Sequence, residues 1–236
     1  MKRILSLTRR CIQDFNMIDD GDKIGVGVSG GKDSLVLLKA LKLYQNFSPK
    51  KFELEAFTVD LGFDNFDVKT IDNYCKSINV PFNLKRTHIK NIVFDIRKEK
   101  NPCSLCAKMR RGALHNALKE KGFNKLALGH HADDAIETLF LSMFYEGRLK
   151  TLPPKTFLTR KEIYVIRPFL YLDEKDIKGI VNKYKIPIVK NPCPVDKKTK
   201  REEIHNILMD IYKKIPGARD NILTALKNKD ELSLWF

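Results

Sequence analysis

Ile24-Gly25-Val26-Gly27-Val28-Ser29-Gly30-Gly31-Lys32-Asp33-Ser34 decides the fold of this chain. The first five residues are apolar or glycine, the composition of a buried strand. Leu37, Ala40, Leu41 and Tyr44 then recur at helical spacing. Between strand and helix lies a turn with paired glycines, which lets the backbone bend tightly and leaves N–H groups free. The start of the helix adds a partial positive charge and Lys32 a full one. Such a turn binds phosphate, and Asp33 beside it suits Mg²⁺.

Two other glycine motifs do not apply. A Walker A loop requires Gly six positions before the lysine and Ser or Thr directly after it, whereas Val26 and Asp33 stand there. Gly25-x-Gly27-x-x-Gly30 matches a dinucleotide fingerprint by letter. Its first two glycines fall inside the strand, and Asp60, at the next strand end, comes later than the usual ~20 residues.

Outward from this stretch, strands and helices alternate. Leu54 to Val59 reads as a second strand, Pro81-Phe82-Asn83-Leu84 opens a third, Leu126-Ala127-Leu128 is a fourth and Ile163 to Ile166 a fifth. Val68 to Ile78 is helical. Ile136, Leu139, Phe140, Met143 and Phe144 share a helical face, and Asp173 caps a helix showing Ile177, Ile180, Val181 and Tyr184. The alternation predicts a parallel sheet with helices on both faces, whose ligands bind beyond the carboxyl ends of the strands. Ser29, Asp60 and Gly129 each follow a strand and should share one crevice. Leu149 to Lys161 has no periodicity and two prolines, so it reads as a loop. Residues 1–190 are expected to form the α/β domain. Residues 191–236, with Ile204, Ile207, Leu208 and Ile211 on one face, are expected to form a helical tail.

Five cysteines, an odd number, do not make a disulfide framework. Cys103-Ser104-Leu105-Cys106 precedes a helix beginning near Ala107. Cys193 stands far off in Asn191-Pro192-Cys193-Pro194, repeating the Asn101-Pro102-Cys103 context. Three thiolates suit an iron–sulfur cluster with one iron left open. Zinc with a fourth ligand, or a redox pair of Cys103 and Cys106, are the alternatives; no His follows at zinc-finger spacing. Cys11 and Cys75 read as packing residues.

Ser29-Gly30-Gly31-Lys32-Asp33-Ser34 resembles the signature of the PP-loop ATP pyrophosphatases. The resemblance implies a Rossmann-like, adenine nucleotide alpha hydrolase-like sheet of five parallel strands. It also implies cleavage of ATP between the α and β phosphates, with adenylation of a carbonyl oxygen. The segments Cys103 to Leu114 and Gly129-His130-His131-Ala132-Asp133-Asp134 narrow the likeness. With Asp14 to Ile18, Pro153-Pro154-Lys155 and Ile166-Arg167-Pro168, they look like the tRNA 2-thiocytidine synthetases. Those enzymes usually carry a second Cys-x-x-Cys near the late ligand; only Cys193 stands here. The related 2-thiouridine synthetases carry terminal zinc-finger cysteines, which are missing here.

The resemblance implies ATP at Ser29, Gly30, Gly31, Lys32, Asp33, Ser34, Asp60, Gly129 and His130. It implies a [4Fe-4S] cluster on Cys103, Cys106 and Cys193, and catalytic roles for Lys32, Asp33, Asp134, Cys103 and Cys106. Mg²⁺, a tRNA substrate, a sulfide or persulfide donor and a homodimer complete the implied set. The product is 2-thiocytidine, with 2-thiouridine, or a persulfide mechanism without a cluster, as alternatives. Arg110, Arg111, Lys155 and Arg167 are candidate tRNA contacts. Lys197-Lys198-Thr199-Lys200-Arg201 reads as a solvated basic run or weak backbone contacts.

Composition agrees. Forty-four Lys and Arg against 29 Asp and Glu leave a net charge of +15, which favours a polyanionic partner. No apolar run is long enough to cross a bilayer, and the basic N-terminus lacks an apolar block, so a cytoplasmic protein without a membrane partner is expected.

Overall fold

The computed structural model describes residues 1–98, 102–194, 200–228 and 230. Asn101 and Lys197-Lys198-Thr199 lie outside the described residues. The strands are β1 (Asp22–Gly27), β2 (Phe52–Asp60), β3 (Phe82–Arg86), β4 (Lys125–Ala127), β5 (Lys155–Leu158) and β6 (Ile163–Ile166). They form one sheet in the order β3-β2-β1-β4-β6-β5. Five strands are parallel, as expected; β5 pairs antiparallel with β6 at the edge. The expectation of a loop from Leu149 to Lys161 is corrected here, since β5 lies within it. Its pairing runs Lys155 with Ile166 to Leu158 with Ile163, so its register is set by β6.

Among the described residues the α-helices are α1 (Lys2–Asp14), α2 (Lys32–Gln45), α3 (Val68–Ser77), α4 (Pro102–Glu120), α5 (Ala132–Glu146), α6 (Glu174–Tyr184), α7 (Lys200–Lys214) and α8 (Ala218–Lys227), and Asn91–Ile96 forms a short π-helix. α4 begins at Pro102, five residues before the expected start, so both of its cysteines lie inside the helix. The chain divides into two compact units, Met1–His131 with Pro153–Asp196, and Ala132–Leu152 with Lys197–Phe236. The first holds the sheet with α1, α2, α3, α4 and α6; the second holds α5, α7 and α8.

In the first unit α2 is buried almost all round, through Leu35, Val36, Leu37, Leu38, Ala40 and Leu41. The glycines of β1 serve packing rather than a dinucleotide. A Cβ on Gly25 would lie 2.9 Å from both Leu118 and Phe57, and one on Gly27 would lie 3.0 Å from Leu128 and 3.1 Å from Leu114. Phe57, Leu114, Leu118, Phe123, Leu126 and Val165 form the core on this side. At the start of β4 the fully buried Lys125 ammonium lies 2.6 Å from Asp22 and 2.8 Å from Asp19 and donates to the Met17 carbonyl at 3.0 Å. That arrangement meets the general requirement that a buried charge be paired. The second unit has its own small core of Ile136, Ile204 and Leu208, flanked by Phe140, Tyr212 and Ile222.

The chain runs outward from β1 through β2 to β3, then returns to β4 on the other side and continues to β6. The order reverses between β1 and β4, and sheets of this kind bind ligands beyond the carboxyl ends of the strands at such a reversal.

Candidate functional site

The turn after β1 is held by its own side chains. Ser34 Oγ donates to the Gly31 carbonyl at 2.9 Å and accepts from the Ser29 N–H at 3.2 Å; the Gly31 N–H reaches Ser29 Oγ at 3.4 Å. Thr58 Oγ1 donates to the Val28 carbonyl at 2.7 Å, fixing the exit from the strand. Gly30 has φ +84°, and a Cβ there would lie 2.8 Å from Val189. Both conditions demand glycine. α2 starts at Lys32, so its first N–H groups, which no intrahelical carbonyl can accept, emerge at this turn.

Gly129, after β4, closes the other side. A Cβ on it would stand 2.9 Å from the carbonyl carbon and oxygen of Asp33 and 3.0 Å from the Ser34 nitrogen. His131 Nε2 lies 3.8 Å from Asp33 Oδ1. The structure therefore brings together Ser29 to Ser34, Gly129 and His131. Asp60, expected just past the second strand, is its last residue. Its carboxylate accepts from the Gly62 N–H at 2.9 Å, and its carbonyl accepts from Thr87 Oγ1 at 2.8 Å.

Lys32 is engaged by two carboxylates, Asp33 at 3.2 Å and Glu174 at 2.9 Å. Burial pulls the pKa of this ammonium down, but the charge of Asp33 and the hydrogen bond and charge of Glu174 outweigh it and hold it above the ordinary value. Burial raises the pKa of Glu174, and hydrogen bonds from Lys178 and Lys32 more than reverse that. Sequence reasoning missed Glu174: an acidic residue in the first turn of a helix reads as a partner of the helix dipole. The signal available was its place directly after the capping Asp173, at the start of a helix following a parallel strand.

Val189 was missed as well. Its N–H donates to the Gly30 carbonyl at 2.9 Å, joining the phosphate turn to the segment that carries Cys193 four residues on. The Asn191 side chain accepts from the Cys193 N–H at 3.2 Å, which gives the Asn-Pro-Cys context a local structural use.

Cys103 is exposed, Cys106 and Cys193 are half-buried, and all three are free thiols. Cys103 and Cys106 are three residues apart near the start of α4, the spacing that places side chains on one helical face. Burial raises the Cys106 pKa; the Arg110 charge opposes this, while Cys193 and Cys103 add to it. Cys193 thus lies within electrostatic reach of Cys106. Among the described residues no three His, Cys, Asp or Glu side chains are drawn together closely enough to hold a metal ion as they stand. The donor set itself, three free thiols of which at least one is solvent-accessible, fits a cluster with one iron open to solvent. Cys11 and Cys75 are fully buried, and burial pushes the Cys75 thiol up to about 12.

Arg110 and Arg111 are exposed on α4; Arg110 faces Cys106 and Arg111 acts on His115. Lys155 donates to the Asn16 carbonyl and sits 4.0 Å from Asp19, so its bonds are with the α1–β1 connection rather than the phosphate turn. Arg167 lies one residue past β6 and donates to His130 Nδ1 at 3.3 Å. Asp134 belongs to the second unit, in the first turn of α5. There Arg201 lies 3.5 Å from Asp134 and 3.0 Å from Glu137, and Arg219 lies 2.8 Å from Asp133. The reading of Arg201 as part of a solvated run is corrected: it is committed to carboxylates.

No helix among the described residues is long and apolar enough to cross a membrane. The family model described as "PP-loop domain" matches residues 5–211. The tRNA-cytidine(32) 2-sulfurtransferase of Cupriavidus necator is 39% identical over 96% of this chain and 73% of its own length. That of Cellvibrio japonicus is 40% identical over 96% of this chain and 76% of its own. The U34-tRNA thiolase NcsA from Methanococcus maripaludis, solved with its [4Fe-4S] cluster, superposes with a TM-score of 0.77 at 21% identity, covering 97% of this chain and 79% of that one. This last likeness bears on the fold.

Proposed function

The chain belongs to the PP-loop domain family and, within it, to the tRNA-cytidine 2-sulfurtransferases, and on that premise we propose that it is an ATP-dependent tRNA sulfurtransferase acting on the C2 position of a cytidine. The observation that carries the reading is the hydrogen bond from Val189 to Gly30. It ties the turn that would hold ATP to the segment bearing Cys193, whose charge in turn reaches Cys106.

In this reading ATP lies over Ser29 to Ser34, with its adenine toward Asp60 and with Gly129 and His130 closing the crevice. Lys32 and the first N–H groups of α2 neutralise phosphate charge as it builds. Asp33 is the carboxylate that would hold Mg²⁺. The pyrimidine, turned out of its RNA stack as base chemistry requires, attacks the α phosphorus through its C2 oxygen, and pyrophosphate leaves. Sulfur then bonds to C2, the C2–O bond breaks, and AMP departs with that oxygen. Cys103, Cys106 and Cys193 would hold a [4Fe-4S] cluster, which when bound supplies a Lewis-acidic iron able to carry sulfide. Burial holds the Cys106 pKa above its ordinary value, and the Arg110 charge opposes that rise in part. The catalytic assignment of Asp134 rests on its motif alone. Arg110, Arg111 and the net positive charge support tRNA as the partner.

The test is a Cys103→Ala variant purified and assayed without air, with MgATP, inorganic sulfide and a tRNA transcript. Nucleoside mass spectrometry should find 2-thiocytidine with the wild-type protein and none with the variant, while both bind ATP. Wild-type product containing 2-thiouridine instead would change the base. Full thiolation by the variant would overturn the role of the cysteines.

A further inference from the structure

Among the described residues Lys32 has two partners, Asp33 at 3.2 Å and Glu174 at 2.9 Å. An ammonium carries three N–H donors. Two are spent on these carboxylates, and the third is left for a phosphate oxygen. The two partners are not equivalent. Asp33 adjoins Lys32 on the turn itself and also lies 3.8 Å from His131. It is the carboxylate that would share its charge with Mg²⁺, and its hold on Lys32 weakens when it does. Glu174 reaches the same ammonium from a different helix.

The fold fixes Glu174 at its backbone and at its carboxylate. It is the first residue of α6, whose Ile177 and Ile180 are buried. Asp176, in the same turn, is held to α1 by Arg3 at 3.1 Å. Glu174 Oε2 accepts from Lys178 at 2.9 Å, one helical turn further on, while Oε1 faces Lys32. The anchored member of the pair is therefore the carboxylate, and the member it steadies is the ammonium on its flexible stem. An exposed pair such as Lys85 with Glu120 contributes little. Here both side chains are half-buried, 26% and 27% exposed, beside the turn where charge would build. A cation stabilises a transition state best when its place is set before the reaction begins.

We propose that Glu174 is a positioning residue for the ATP chemistry: it holds the Lys32 ammonium at the phosphate turn with one N–H left for the phosphate under attack. The proposal deepens the reading of that turn as an ATP site and rests on it. Glu174 acts through Lys32. Its own charge repels the bound phosphates, so its removal costs ATP little in affinity. What is lost is the orientation of Lys32 as charge develops.

Pyrophosphate release by the full chain, with MgATP, inorganic sulfide and a tRNA transcript and without air, gives kcat and KM for ATP; equilibrium titration gives ATP affinity. Glu174→Gln keeps the shape and an acceptor oxygen but removes the charge. Its kcat should fall about 10- to 100-fold, the factor expected of a hydrogen bond to a charged group, while KM and ATP affinity stay within about twofold. Glu174→Asp keeps the charge and should recover part of kcat; should the Gln variant fail to give a cooperative melt, the Asp variant carries the test through the same split. A kcat within about twofold of wild type overturns the proposal even if ATP binds more tightly, because the carboxylate then merely competes with phosphate. Parallel loss of kcat and ATP affinity with a lower melting temperature also overturns it, since Glu174 then only props the turn. Wild-type protein that releases no pyrophosphate in the presence of tRNA overturns the ATP reading instead.

Discussion

Alanine at position 129 puts the nucleotide turn to the most direct test. The added methyl carbon would sit 2.9 Å from the Asp33 carbonyl carbon and oxygen and 3.0 Å from the Ser34 nitrogen, about half an ångström inside ordinary contact. These are backbone atoms of the first turn of α2, and no rotamer change can move them away. The strain must be relieved by shifting the turn that the phosphates would occupy. Overpacking of this kind costs roughly 1–3 kcal/mol. If relief comes from the turn, ATP affinity falls about 5- to 150-fold. Calorimetric titration with ATP measures the loss, and a thermal melt without nucleotide checks the fold. Gly179→Ala is the control: Gly179 lies in α6 with nothing within 4 Å of its missing methyl, and the substitution should stabilise by about 0.5–1 kcal/mol without touching ATP affinity. A Gly129→Ala protein that binds ATP like wild type would show that the approach of β4 to α2 does not shape the turn, and the argument from it would fail.

Lys125→Met should lower the free energy of unfolding in urea by about 3–5 kcal/mol, because it leaves Asp22 buried without its cation; a loss under 1 kcal/mol would contradict the pairing. Glu174→Gln should alter the pH dependence of stability at both ends. The Glu174 pKa is depressed below its ordinary 4.5, so its contribution is present above that value and disappears as pH falls through the lower folded pKa. The Lys32 pKa is raised above 10.5, so its contribution holds below that value and disappears as pH rises through the higher folded pKa. Melting curves of the variant should be flatter than wild type in both windows, and identical profiles would refute the pair.

The central strands and the phosphate turn were legible because each carries its own local signal. β1, β4 and β6 contain short apolar stretches and β2 holds Ala56-Phe57-Thr58-Val59, while Gly30-Gly31-Lys32 has a composition that a tight, charged turn requires. β5 has no such signal: it is four residues long, follows two prolines and takes its geometry from β6. The start of α4 was hidden because Pro102 reads as a breaker, although proline is well suited to the first helical position. What the sequence could not show were pairings between distant residues. Nothing near Glu174 announces Lys32, nothing near Val189 announces Gly30, and the need for glycine at position 129 exists only once β4 lies against α2. The cysteine trio was visible as a set of residue types, whereas the electrostatic reach of Cys193 to Cys106 is a product of folding.

The single peptide hydrogen bond between Val189 and Gly30 makes the two halves of the proposed chemistry mechanically inseparable. Whatever repositions the strip leading to the late sulfur must tug on the cradle for the nucleotide, and whatever fills that cradle steadies the strip. A substitution that loosens residues 187–190 would therefore impair both nucleotide grip and sulfur handling, although it removes no group that touches either one.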